Sequence, residues 1–153
     1  MTDTAPWTLR RAGAPGDLLH CLAIRHAVFV VEQGVEPALE RDGLDEQCLH
    51  YLGFAGGEAV ATARVRVLAD RFKVQRVAVL PSHRGKGLGA ALMRFMMADL
   101  AGRPEAAGRH LFLSSQVHAM AFYEKLGFVA CSDEFMDAGI AHRDMRAPAR
   151  APA

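Results

Sequence analysis

The spacing of apolar and polar positions changes several times along the chain, and each change marks an element. Residues 7–12 (WTLRRA) read as a short first strand. From 16 to 33, GDLLHCLAIRHAVFVVEQ is apolar at helical spacing. Leu18, Leu22 and Phe29 fall near one face; Cys21, Ile24, Val28 and Val31 fall near another. A helix apolar on two faces is expected to be largely buried, and Asp17 stands where an N-cap would. Residues 34–47 (GVEPALERDGLDEQ) are polar, carry Gly and Pro, and read as a loop. The run 50–68 (HYLGFAGGEAVATARVRVL) reads as a β-hairpin turning at Gly56-Gly57. In its second arm Ala61, Ala63, Val65 and Val67 alternate with Val60, Thr62, Arg64 and Arg66.

Residues 72–80 (FKVQRVAVL) predict the next strand, ended by Pro81. After a glycine-rich loop, Leu88, Leu92, Phe95 and Leu100 recur at helical spacing. HLFLSS (110–115) is another strand, HAMAFYEKLGF (118–128) a short helix stopped by Gly127, and 128–147 holds two further short strands. The order is β, α, a run of strands, α, β, α, strands: a βαβ unit after an antiparallel meander. That is mixed α/β and not a doubly wound repeat. No repeat or linker divides the chain, so it reads as one domain over 1–147. The Pro- and Ala-rich end, 148–153, is expected to fray.

Composition narrows the partners. A chain of 153 residues, 51% hydrophobic and 23% charged, can bury a core without disulfides or metal staples. A net charge of +1 argues against nucleic acid, which demands a basic excess on one face. No apolar run is long enough to span a bilayer, and the first residues lack the apolar core of a signal peptide, so a cytoplasmic location without membrane contact is expected. Cys21, Cys48 and Cys131 are widely separated and read as buried small hydrophobes. The seven histidines form no ligand-spaced pair, so no metal is expected.

The chemistry concentrates in QRVAVLPSHRGKGLGAALMRFMM, residues 75–97. A P-loop would need Ser or Thr after Gly85-Lys86, where Gly87 stands, so that reading fails. Gly85, Gly87 and Ala90 fit Gly-x-Gly-x-x-Ala, but a dinucleotide fingerprint should open the first βαβ unit with an acid after the next strand. The third reading is Arg84-Gly85-Lys86-Gly87-Leu88-Gly89 as an anion site. Successive backbone N–H groups form a concave cradle at a helix start, the helix dipole adds positive potential, and glycines admit a pyrophosphate close to the chain. A tight turn that binds nothing is disfavoured, because three glycines destabilise a helix start without a reason.

The run VAVLPSHRGKGLGAALM resembles the acyl-CoA-binding motif of the GNAT N-acetyltransferases. RHAVFVVEQG, ERDGLDEQCLH and AFYEKLGFVACSDEFMDAGIAHRDM are similar to the ElaA/YjcF-type branch, so the resemblance covers nearly the whole chain. It implies a central, mostly antiparallel sheet with a parallel βαβ splay, flanked by helices. It implies an acetyl-CoA-dependent N-acetyltransferase in which an amine of a small molecule or peptide attacks the thioester directly. By the same resemblance Val77, Ala78 and Val79 pair with pantetheine, with an N–H near Val79 polarising the thioester carbonyl. Arg84, Gly85, Lys86, Gly87, Leu88, Gly89 and Ala90 hold the pyrophosphate, and Gln116 stands where many members carry an Asn. Tyr123 is the matching phenol that protonates the leaving thiolate, with a packing aromatic as the alternative. Homodimers occur in the family, and no sequence feature decides the point here.

The acceptor ammonium must lose a proton before it attacks. Candidate bases are Glu32, Asp45, His50, Glu134 and His142; Glu32 is favoured because it ends the first helix, and hydrogen-bonded packing is favoured for the two histidines. Arg76, inside a strand, is expected to hold a carboxylate in a buried ion pair. A non-catalytic acyl-CoA sensor remains the alternative function, and a Rossmann-type nucleotide-binding protein is disfavoured by its element order.

Overall fold

The computed structural model describes residues 6–149. A strand β1 (Thr8–Arg11) precedes helix α1 (Asp17–Arg25), which continues as π-helix over His26–Glu32. A short α2 (Pro37–Glu40) and a single 3-10 turn (Asp45–Gln47) follow. The meander β2 (Leu49–Ala55), β3 (Glu58–Val67) and β4 (Arg71–Val79) leads through the glycine loop into α3 (Leu88–Ala101). Then come β5 (His110–Gln116), α4 (Met120–Glu124), β6 (Val129–Ala130), β7 (Phe135–Asp137) and β8 (Ile140–Pro148). The strands form one sheet in the order β1-β2-β3-β4-β5-β8-β6, with β7 also on β8. Among the described residues only β4 and β5 are parallel, joined by the α3 crossover. The fold is the mixed α/β arrangement expected.

Helices cover both faces. Leu88, Leu92, Met93, Met96 and Leu100 of α3 pack with Val65, Phe72 and Leu111 in the larger core. Cys21, Ile24 and Val28 cover Leu52 and Ala78 on the other face. This explains why β3 departs from simple alternation: Thr62 and Arg64, on the expected polar side, are as buried as Ala61 and Ala63.

Several local expectations change. Asp17 is the first helical residue, and Gly16, at φ +85°, takes the cap position. The Asp17 carboxylate turns back to accept N–H bonds from Gly13 (3.0 Å) and Ala14 (2.9 Å), and it pairs with Arg10. The first helix is not sealed on two faces, because the wider π-turns rotate its end and leave Val31 71% exposed. The polar run 34–47 contains α2 and a 3-10 turn, since Pro37 is preset for a first helical turn. The C-terminal run holds three strands in place of two. Pro148 closes β8 opposite His110, one residue past the expected domain end, while 150–153 of the expected tail lie outside the described residues. Of the cysteines only Cys21 is fully buried; Cys48 is half-buried and Cys131 exposed.

The Arg10 guanidinium, with the two N–H donors, holds the Asp17 carboxyl down to about 2 from its ordinary 3.8. A carboxyl depressed on folding stabilises the native state above its ordinary value, and that contribution is lost as pH falls through the folded value. Urea midpoints are therefore expected to be flat above pH 3.8 as regards Asp17 and to fall from there toward pH 2. Asp17→Asn should flatten that part of the profile; an unchanged acid limb would refute the linkage.

Candidate active site

The site begins where two parallel strands part. β4 and β5 are in register only at Arg71–His110, Phe72–Leu111 and Lys73–Phe112. Beyond Lys73 they diverge, and a cleft of about 490 Å³ opens between Lys73–Val77 on one wall and Leu113–Gln116 on the other. A bulge in β4 contributes to the parting. Arg64 pairs with Gln75 and Thr62 with Ala78, so Arg76 and Val77 together oppose one residue of β3. Such a bulge bends and over-twists its strand.

Arg76 sits at φ +55°, an unfavourable conformation for a non-glycine residue that its surroundings must enforce. They do: its guanidinium donates to the carbonyls of Leu39 (3.3 Å) and Glu40 (3.2 Å), and its Nε lies 3.4 Å from Glu40 Oε1. The expected ion pair of Arg76 is present. It belongs to a larger network that sequence reasoning missed. Arg25, fully buried, binds Glu40 (2.5 Å) and Asp45 (2.6 Å); Arg64, also fully buried, binds Asp42 (2.7 Å), Asp45 (2.9 Å) and Gln75 (2.7 Å). Three guanidiniums and three carboxylates thus clamp α2 and the turns after it onto the sheet, and this segment supplies Val35, Leu39 and Glu40 to the cleft wall. The available signal was Arg64 inside an apolar strand pattern, since a buried cation demands partners.

Past the bulge the chain reaches the glycine loop. Val77 and Val79 pack toward the α3 side and Ala78 toward α1. Gly85 (φ +75°) and Gly87 (φ +86°) adopt the left-handed conformation, and a Cβ at either would meet open space. Gly87 caps α3 without a side-chain bond, so the first-turn amides at Leu88, Gly89 and Ala90 are left facing the loop. Leu88 itself is buried and anchors the helix, whereas Lys86 is exposed. Arg84 folds back, donating Nε–H to the Val79 carbonyl (2.9 Å) and both terminal nitrogens to Glu32 (2.5 Å each).

That pair recasts Glu32. The Arg84 guanidinium holds its carboxyl below the usual range, which makes it a poorer proton acceptor than a free glutamate. Glu32 also stands outside the residues lining the cleft. Asp45 is inside the ion-pair network, His50 donates Nε2–H to the Asp45 carbonyl (2.7 Å), and Glu134 is exposed away from the cleft. Gln116 lines the cleft, bonded to Gln33 at 3.4 Å and to His118 at 2.6 Å, so it bridges β5 to the end of the first helix.

Tyr123 lines the same cleft, and the local sequence explains how it is held. Gly127 at φ +97° closes α4 with the paired bonds of a Schellman motif: Phe128 N to Tyr123 O (3.1 Å) and Gly127 N to Glu124 O (3.0 Å). The Phe128 ring packs edge-on to Tyr123 at 6.0 Å, the apolar contact that accompanies such a stop. Burial pushes the Tyr123 phenol up to about 12, so it keeps its proton at neutral pH.

A parallel splay, an uncapped glycine loop at a helix start and a phenol in the intervening cleft match the arrangement that the resemblance to acyl-CoA transferases implies. The Acetyltransferase (GNAT) domain family matches residues 17–148, and the chain belongs to that family, whose members transfer acyl groups from acyl-CoA. Its relatives include YjcF of Bacillus subtilis, described as an uncharacterized N-acetyltransferase, 34% identical over 80% of this chain and 86% of that one. Among solved structures, ElaA of Escherichia coli superposes with a TM-score of 0.81 at 27% identity, covering 92% of this chain and 99% of ElaA. An acyl-CoA N-acyltransferase from Pseudomonas aeruginosa gives 0.79 at 29% identity, covering 92% and 97%. No helix among the described residues is long and apolar enough to cross a membrane.

Proposed function

We propose that this acyltransferase carries acetyl from acetyl-CoA to a primary amine by direct attack, without an acyl-enzyme. The observation that carries the reading is the cleft that follows the unpaired edge of β4 from Lys73 to Val77 and takes in Tyr123, on the strand that leads into the glycine loop. An unpaired strand edge offers N–H and C=O groups to an extended amide-bearing chain, as pantetheine is. The pyrophosphate lies on the amides that open α3, with Lys86 supplying charge and Arg84, held by Glu32, fixing the loop. A β4 N–H near Val79 polarises the thioester carbonyl, and Tyr123 gives its proton to the departing thiolate. A thiol nucleophile has no support at the site, because none of the three cysteines lines the cleft.

Calorimetric titration with acetyl-CoA, against NAD and ATP, tests the donor. Saturable binding of acetyl-CoA alone is expected; preference for NAD would restore the dinucleotide reading. Binding without acetylation of any amine in a broad panel would favour an acyl-CoA sensor. For turnover, Tyr123→Phe is expected to lower kcat by about tenfold to a hundredfold, at or below the low end for general acids because thiolate leaves readily. The KM for acetyl-CoA should change little, since Phe retains the ring packing. Unaltered kcat in a CoA-release assay would remove Tyr123 from the chemistry.

A further inference from the structure

We infer that His142 is the base that takes the proton from the acceptor ammonium, an assignment that rests on the transferase reading above. The geometry starts with its tautomer. His142 Nδ1 lies 2.7 Å from the Ile140 carbonyl oxygen. A carbonyl can only accept, so in the neutral imidazole the ring proton is on Nδ1 and the lone pair is on Nε2. The ring stacks on Phe135, with centroids 5.9 Å apart and planes 22° from parallel, which sets its orientation. Residue and ring are largely buried, 9% exposed, yet Nε2 is absent from the sealed, unpartnered polar atoms of the protein. His142 lines the cleft shared with Tyr123, so the opening left to Nε2 is the cleft itself.

The other charged and titratable side chains facing this cleft are otherwise engaged or unsuited. Glu40 is held by Arg25 and Arg76, and Arg76 by Glu40 and two carbonyls. His118 donates Nε2–H to Gln116 and is exposed, so its other nitrogen lacks the buried, stacked setting of His142, and Lys73 stands at the closed end of the splay where β4 still pairs with β5. Asp137 stands exposed at the β7–β8 turn, without the burial and stacking that fix the His142 ring. The hairpin that carries His142 turns at Ala138-Gly139, both at positive φ, and among the described residues Ala138 and Arg76 are the non-glycine residues in that conformation. Both strained positions border the cleft.

The proton balance closes. R–NH3+ passes a proton to Nε2, and the freed amine attacks the thioester carbon. The C–N bond forms, the C–S bond breaks, and the thiolate takes the Tyr123 proton. The phenolate recovers a proton from the new amide nitrogen, and the imidazolium releases one to solvent. The products are amide, CoA thiol and one proton.

The test uses two small nucleophiles, ethylamine, which is protonated at neutral pH, and hydroxylamine, which is not. His142→Asn keeps an N–H donor for the Ile140 carbonyl and deletes the base. With ethylamine, kcat/KM at pH 7 is expected to fall about a hundredfold, and the remaining rate should climb with pH as free amine accumulates. With hydroxylamine it should stay within about threefold of the native enzyme, because no proton needs removing. Equal losses with both nucleophiles, or no loss with either, would overturn the assignment while native turnover left the transferase reading standing. No acceleration of either nucleophile, or of any amine in the broad panel, by native protein that binds acetyl-CoA would overturn both. Nitrogen NMR of the native imidazole adds an acceptor-independent check: a proton on Nε2 in place of Nδ1 defeats the assignment.

Discussion

Gly87→Trp is expected to weaken acetyl-CoA binding by about a hundredfold or more and leave the fold intact. A Cβ at Gly87 would meet nothing within 4 Å, so an indole carried on it starts from open space, in the volume assigned to the pyrophosphate. Two lost charge-assisted hydrogen bonds, at about 1.5 kcal/mol or more each, already amount to that factor. The substitution also forces a bulky residue to φ +86°, a cost of about 1–2 kcal/mol in a loop outside the core. Gly87→Ala separates the two effects, since it carries the strain without the bulk and should weaken binding only severalfold. Calorimetry with circular dichroism decides the matter. Full affinity in the tryptophan variant would move the pyrophosphate elsewhere.

Arg64→Met is expected to cost about 3 kcal/mol of stability, near the lower end for breaking a buried ion pair from one side. Arg64 is fully buried, and its removal leaves Asp45, Asp42 and Gln75 without their donor. Asp45 keeps Arg25, and the Asp42 side chain is 26% exposed, so water can relieve part of the loss. The damage should not stop at stability. Asp42 and Asp45 pin the segment that carries Val35, Leu39 and Glu40 into the cleft, and loosening it should raise the KM of the acceptor more than that of acetyl-CoA. A loss under about 1 kcal/mol in urea unfolding would show the network to be peripheral.

The division between what was legible and what was not follows sequence distance. The Gly56-Gly57 hairpin, the glycine loop before α3 and the stop at Gly127 are each specified within a few residues. Steric rules for glycine and hydrogen-bonding rules for helix ends act over that range, so the chain alone determined them, together with the family resemblance that rests on them. Three glycines beside Arg84 and Lys86 also make this loop a candidate anion site on sequence alone.

What only the tertiary structure decided depends on residues far apart in the chain. Arg84 meets Glu32 across 52 positions, which turns an expected base into the partner of a loop arginine. Arg64 reaches Asp42 across 22, and Gln116 reaches Gln33 across 83. The π-turns that rotate Val31 outward, the bulge at Arg76 and the stack of His142 on Phe135 carry no one-residue signature. Side-chain type announces which groups can pair, but a charge or a lone pair acts only over a few ångströms. Which groups come within that reach is fixed by sheet order and helix packing, and these form only when the whole core closes.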